Sequence, residues 1–262
     1  MPILGRDGWL GAVRLNHFFL AGTGRNSTTE ETQIRMADVA TNTVTSSTGV
    51  CPHCGSQTAG AHFCAECRKI QLVSGSDYFQ FFGLPRKLVI DVSDLEKSFY
   101  ELSRQFHPDY FMRASNAEQQ ASIERSSMLN DAYRTLRDRV ARVSYLLALE
   151  GYKEAEKKAP PDLLEEVFEL NMQVEELKAA KKAGDENDVA EAQSALEEAM
   201  MGLREKLAGI DDRLLAKFGD WDSALDRSAP TSEKSALLDQ MSELLSHRSY
   251  IGHLVHSIQE EL

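Results

Sequence analysis

A proline, Pro108, does most to limit how this chain folds, because it stands between two stretches with helical apolar spacing. Before it, Leu95, Phe99, Leu102 and Phe106 recur at steps of 4, 3 and 4, one stripe of an amphipathic helix. Asp91 or Ser93 is placed to cap its start. Pro108 disfavours helix at the preceding residue, so this helix should stop at His107. A second run begins near Asn116 and carries Leu129, Ala132, Tyr133, Leu136, Val140, Val143 and Leu147 at the same spacing, which predicts one helix through all of them. The polar stretch Asp109–Ser115 then joins two antiparallel helices. An aromatic segment, Asp77 to Pro85, predicts a short helix packed against the pair.

On its own, His107-Pro108-Asp109 reads as a helix stop, since proline ends helices and aspartate favours turns. Its setting changes that reading. The start Asp77-Tyr78-Phe79 with Phe82-Gly83-Leu84-Pro85, the centre Phe106 to Phe111 and the run Asn130 to Leu136 together resemble a J-domain of the HscB family over residues 77–149. That family comprises co-chaperones of iron–sulfur cluster assembly. The resemblance implies that His107, Pro108 and Asp109, with the basic helix face of Lys97 and Arg104 (and Arg113), dock on an acidic surface of a DnaK-type ATPase chaperone. Asp109 would perturb the contact between that chaperone's two domains, and His107 and Pro108 would hold the loop's shape. No nucleophile, glycine-rich loop or third polar partner lies near the tripeptide in sequence, so the chain is read as no enzyme.

All four cysteines fall within 17 residues, as Cys51-Pro-His-Cys54 and Cys64-Ala-Glu-Cys67. Two Cys-x2-Cys knuckles supply four thiolates at tetrahedral corners, which suits zinc ahead of an iron–sulfur cluster. Gly55 gives the tight turn after the first pair. A disulfide framework is the main alternative, disfavoured because a chain with a sizeable core needs no such staples and nothing suggests secretion. A redox pair is the lesser one, because a strand–helix context is missing. Four thiolates complete the shell without His53 or His62, and no position stays open for a reaction. The metal would supply the folding free energy of a segment poor in apolar residues. Such a module just before the aromatic start resembles the longer, animal-type branch of the HscB family.

Residues 151–262 hold 13 basic and 25 acidic residues, which accounts for the net charge of −12. That balance argues against nucleic acid or anionic membrane as partners. Pro160-Pro161 should start a helix, with Asp162 in its first turn. Leu163, Val167, Leu170, Val174 and Leu177 form a bundle seam, beside which lies a second apolar row, Leu164, Phe168 and Met172, flanked by Glu165 and Glu169. Gly184-Asp185 makes a turn. Val189, Leu196, Leu203, Ile210 and Leu214 mark a second long helix, a polar loop should run from Gly219 to Ser232 with Trp221 as an anchor, and Leu237, Met241, Leu244, Ile251 and Ile258 mark a third. The outcome is an up-down-up three-helix bundle. Core packing is the plain reading of the second row. The HscB resemblance implies another, that Leu164, Phe168, Glu169 and Met172, with Tyr250 of the last helix, hold the cluster-assembly scaffold protein. Glu165 stands where the family often has an apolar residue, and Met172 where it often has an acid.

Residues 1–29 hold three arginines and one aspartate, and 27–48 are rich in Ser and Thr, a composition that fits a mitochondrial transit segment or a disordered leader. No run approaches the length of a transmembrane helix. The expected organisation is all-α: a leader over 1–48, a four-Cys metal module over 49–75, a J-domain hairpin over 76–150 and an acidic three-helix bundle over 151–262. The resemblance implies a mitochondrial matrix protein, with the cytoplasm as the alternative compartment. Its rival in function is a metal-dependent adaptor in which the hairpin is vestigial.

Overall fold

The computed structural model describes residues 49–58, 60–72, 75–152 and 161–262. The expected leader over 1–48, Pro160 and the side chain of Asp162 lie outside the described residues. Among the described residues seven α-helices follow one another: α1 Tyr78–Phe81, α2 Val92–Phe106, α3 Asn116–Arg137, α4 Arg139–Leu149, α5 Leu164–Ala183, α6 Glu186–Asp226 and α7 Thr231–Glu261. Among the described residues there is no strand, only two isolated antiparallel bridges, Val50 with Gln57 and Phe63 with Ile70.

Local chemistry sets most helix boundaries. Asp77 and Gln80 form a capping box on α1, Asp91 accepts from the amides of Ser93 and Asp94 at the start of α2, and Ser115 with Glu118 boxes α3. Gly184, at φ 78°, ends α5 in the left-handed conformation that costs glycine least.

Two expectations need correction. The run from Asn116 to Leu147 is two helices, because Asp138 leaves the helical conformation and caps α4 by accepting from the Ala141 amide. The apolar spacing continues across the break, so periodicity alone cannot reveal it. Likewise, no loop begins at Gly219. Helix α6 runs on to Asp226, and the connection to α7 is only Arg227–Pro230. A glycine inside a helix costs about 1 kcal/mol, but Phe218 and Trp221 in the same turns are buried against Leu88 and the α4 residues Val143, Leu146 and Leu147. That burial outweighs the glycine.

The first half of α6 packs with α5 and the second half of α7 around Leu163, Leu170, Leu177, Leu196, Leu203, Ile210, Ile251 and Ile258. The second half of α6 joins α4 and the first half of α7 in another core. The seam read from sequence over α5 and the first half of α6 is the one observed, whereas Leu214, Leu237 and Met241, read as part of the same bundle face, pack in the second core with α4. Polar contacts fasten the α4 side. The buried Asp222 carboxylate accepts from the amides of Leu88 (2.7 Å) and Val89 (3.0 Å). Arg142, also buried, donates to the carbonyls of Leu88 and Leu136, at 2.5 Å each. Trp221 donates its indole N–H to the Arg86 carbonyl at 3.0 Å, and Arg86 is itself paired with the buried Asp77.

Replacing Asp222 by Ala strands two amides and should destabilise the protein by about 2–4 kcal/mol in denaturant titration, with Asp222→Asn milder because one acceptor survives. Gly219 is exposed and a Cβ there meets no atom within 4 Å. Gly219→Ala should therefore stabilise by about 0.5–1 kcal/mol in the same assay.

Candidate functional site: an exposed His-Pro-Asp loop on a four-thiol platform

Helix α2 ends because Pro108 has no amide hydrogen to extend it, which leaves the last carbonyls of the helix without intrahelical partners. Phe106 is completely buried, and its carbonyl accepts from two hydroxyls of α3, Ser122 at 2.6 Å and Ser126 at 3.1 Å. The next residues turn outward. Pro108–Phe111 make one 3₁₀ turn, with the Asp109 amide donating to His107 Nδ1 at 3.3 Å. His107, Pro108 and Asp109 are all exposed, as are Tyr110 and Met112. At the far end of the loop Gln119 donates to the carbonyls of Met112 (3.2 Å) and Ala114 (3.1 Å). The tripeptide is thus a presented elbow with a fixed stem. Lys97 and Arg104 are exposed on α2, and Lys97 is paired with Asp94 one turn away.

The four cysteine sulfurs converge, all within 4.8 Å of one another, with Cys51–Cys67 and Cys54–Cys64 at 3.6 Å. A disulfide needs about 2.05 Å, whereas thiolates about 2.3 Å from a shared zinc stand roughly 3.8 Å apart. The same backbone pattern builds each half. Gly55 N–H donates to Cys51 O and Cys51 N–H to Ser56 O; Arg68 N–H donates to Cys64 O and Cys64 N–H to Lys69 O. The position after each second cysteine is left-handed, at φ 76° for Gly55 and 58° for Arg68. Only the glycine announces that turn in sequence.

Burial raises the Cys51 thiol, yet the amides of Cys54 and His53 aimed at its sulfur bring it down to about 6. At Cys67 the Lys69 amide lowers the thiol, but burial and the three neighbouring thiols push it up to about 12. Four sulfurs this close cannot all ionise unless a cation stands among them. The donor set therefore fits a metal ion.

This thiol module sits directly on the helical hairpin. His62 Nε2–H donates to the Phe81 carbonyl at 3.0 Å, and Nδ1 accepts from Arg125 at 2.5 Å, the only assignment open since arginine cannot accept. Burial, together with the Arg125 charge, takes His62 down to about 4, so the imidazole is neutral. Arg125 is buried on α3 and also donates to the carbonyls of Gln71 (2.5 Å) and Leu72 (3.2 Å). Its guanidinium lies 5.8 Å from the Phe106 ring and 5.9 Å from the Phe81 ring. The sequence reading misses this junction. The signal was there: the buried stripe of α3, Ala121, Leu129, Ala132 and Leu136, carries an arginine at position 125.

On α5, the second apolar row is not core. Leu164, Phe168 and Met172 are 55, 65 and 50% exposed, beside the exposed Glu165 and Glu169. Tyr250 differs, being half-buried against the bundle core. No helix of the described residues is long and apolar enough to cross a membrane.

Comparison with known proteins gives this geometry a family. The DnaJ domain family matches residues 77–145. The chain is 38% identical over 129 residues to the "Iron-sulfur cluster co-chaperone protein HscB homolog" of Arabidopsis thaliana, a match covering 48% of this chain and about half, 51%, of that relative. Among solved structures, that of human co-chaperone HscB aligns with a TM-score of 0.53 at 24% identity, over 80% of this chain and 97% of that one, a likeness of fold. Chaperone HscB from Vibrio cholerae aligns at 0.45 and 24% identity, over 71% of this chain and 96% of that one. Residues 77–145 are a DnaJ domain, and over about half its length the chain is similar to an HscB-type J-domain co-chaperone.

Proposed function

We propose that this chain is a co-chaperone of iron–sulfur cluster assembly. Its exposed elbow engages a DnaK-type ATPase, and the α5 face holds the scaffold protein on which a cluster is built. The observation that carries this reading is the exposure of His107, Pro108 and Asp109 on a stem tied to α3 at Phe106 and Gln119. Docking energy at the elbow would favour the hydrolysing conformation of the partner ATPase, a shift of populations in which this chain makes and breaks no bond. On this reading it is no enzyme, and Lys97 and Arg104 contribute positive charge towards an acidic partner surface.

For the scaffold, three exposed apolar side chains in a row on α5, rimmed by carboxylates, suit a partner with an apolar centre and a basic edge. Tyr250 would contribute from beneath, through the packing of α7, rather than as an exposed contact. Zinc, held by Cys51, Cys54, Cys64 and Cys67, is the metal we assign, because four thiolates in a closed tetrahedron leave no site for water. Its part would be to hold the two knuckles together. The mitochondrial matrix is the proposed compartment. An adaptor with a vestigial hairpin has less support, since a vestigial loop would have no reason to keep its stem bonded and its tripeptide presented.

In a steady-state assay with the partner ATPase, His107→Gln should remove stimulation while leaving scaffold binding unchanged. The Leu164→Ala/Phe168→Ala double variant should do the reverse, weakening scaffold binding by at least ~30-fold, or about 2 kcal/mol, in calorimetry. Stimulation that survives the first change would reject the elbow's role. Elemental analysis should find a single zinc per chain, lost on Cys64→Ser and released progressively as acid protonates the thiolates; protein purified metal-free at neutral pH with its fold intact would overturn the zinc assignment.

A further inference from the structure

The thiol module touches the hairpin at both ends of the tripeptide loop. At the entry, Phe106, the residue directly before His107, has its ring stacked on Phe63 (centroids 5.8 Å apart) and edge-on to His62 (5.0 Å). Phe63 and His62 immediately precede Cys64. Arg125 closes over the same ring and ties it to Gln71, whose side-chain amide donates to Cys51 Sγ at 3.5 Å. At the exit, Lys69, two residues after Cys67, pairs with Glu118 at 3.0 Å. Glu118 is the residue that boxes the start of α3 and accepts from the Ser115 hydroxyl at 2.7 Å. Residues 107–115 are therefore strung between two anchor points, and each is one or two residues from a cysteine.

We propose that the metal-loaded module is the platform that fixes this loop, so that engagement of the ATPase partner depends on metal occupancy of the four-thiol site. The physical reason is that the anchors belong to a segment with few apolar side chains of its own. Without a cation among the sulfurs the two knuckles lose their common centre. His62, Phe63 and Lys69 then lose their fixed positions against Phe106 and Glu118, and the buried Arg125 charge loses the carbonyls that satisfy it. Arg125 acts here as a positioning residue. It touches no partner and transmits the module's order to the stem of the loop. This inference concerns regulation of the elbow and rests on the reading given above for it, but its first test does not require a partner.

Amide hydrogen exchange on the full chain, before and after removal of the metal by a thiol-competing chelator and again after zinc is restored, tests it. Exchange over 106–120 should rise by about tenfold on chelation and recover with zinc, while α5 and the first half of α6 stay unchanged. In Arg125→Met the same amides should already exchange faster, and chelation should add little. Lys69→Met, at a half-buried position, provides the milder variant if the first folds poorly; it should loosen 115–120 alone. Metal loss that leaves 106–120 protected overturns the proposal. So does loss of protection through α2, α3 and α4 alike, which would make the metal a general staple. A chelated chain that exchanges faster in the loop and stimulates the ATPase less supports it. A faster-exchanging loop with no stimulation before or after chelation supports the coupling and counts against the elbow's assigned partner.

Discussion

A single carbonyl, that of Phe106, carries the presentation of the loop. The helix that leads to it must stop, since the proline two residues on offers no amide, and a stopped helix leaves polar groups in an apolar core. The two serine hydroxyls of α3 resolve that conflict. Because they bond to the last residue before the tripeptide, the direction in which His107 leaves the core is set by α3 and not by the loop itself. A largely exposed segment then holds a defined shape without a core of its own.

The same logic recurs where the hairpin meets the bundle. Leu88 lies in the connection between α1 and α2, a segment without secondary structure, and its backbone is held on both sides: its amide by Asp222 and its carbonyl by Arg142. Buried charges of opposite sign thus serve one stretch of extended chain from α6 and α4. They satisfy backbone groups that a buried connection could not otherwise pair.

Much of this was legible in the sequence, and the exceptions have a common cause. The stripe of α2, the cap at Asp91, the seam from Leu163 to Leu177 and the paired knuckles are all local patterns, and local patterns survive into the structure. The row Leu164, Phe168 and Met172 was legible as a row, but its exposure depended on how much of α5 the other bundle helices cover, which no spacing encodes. Asp222 bonds to amides 134 and 133 residues away, and Arg125 to carbonyls 53 and 54 residues away. Such pairings leave only an oddity in the pattern, a charged residue where an apolar one is due. The break at Asp138 and the continuation past Gly219 fail for a related reason: capping and burial compete there, and the winner is decided by what packs across the helix.

Helix α6 spans 41 residues, about 60 Å at 1.5 Å per residue, and its two halves belong to different cores. One rod therefore serves as a strut between the face that carries Leu164 and Phe168 and the hairpin that carries the tripeptide. On the proposed function, a scaffold seated on the first face would stand at a set distance from an ATPase gripping the second, and whatever passes between the two would have to bridge that gap.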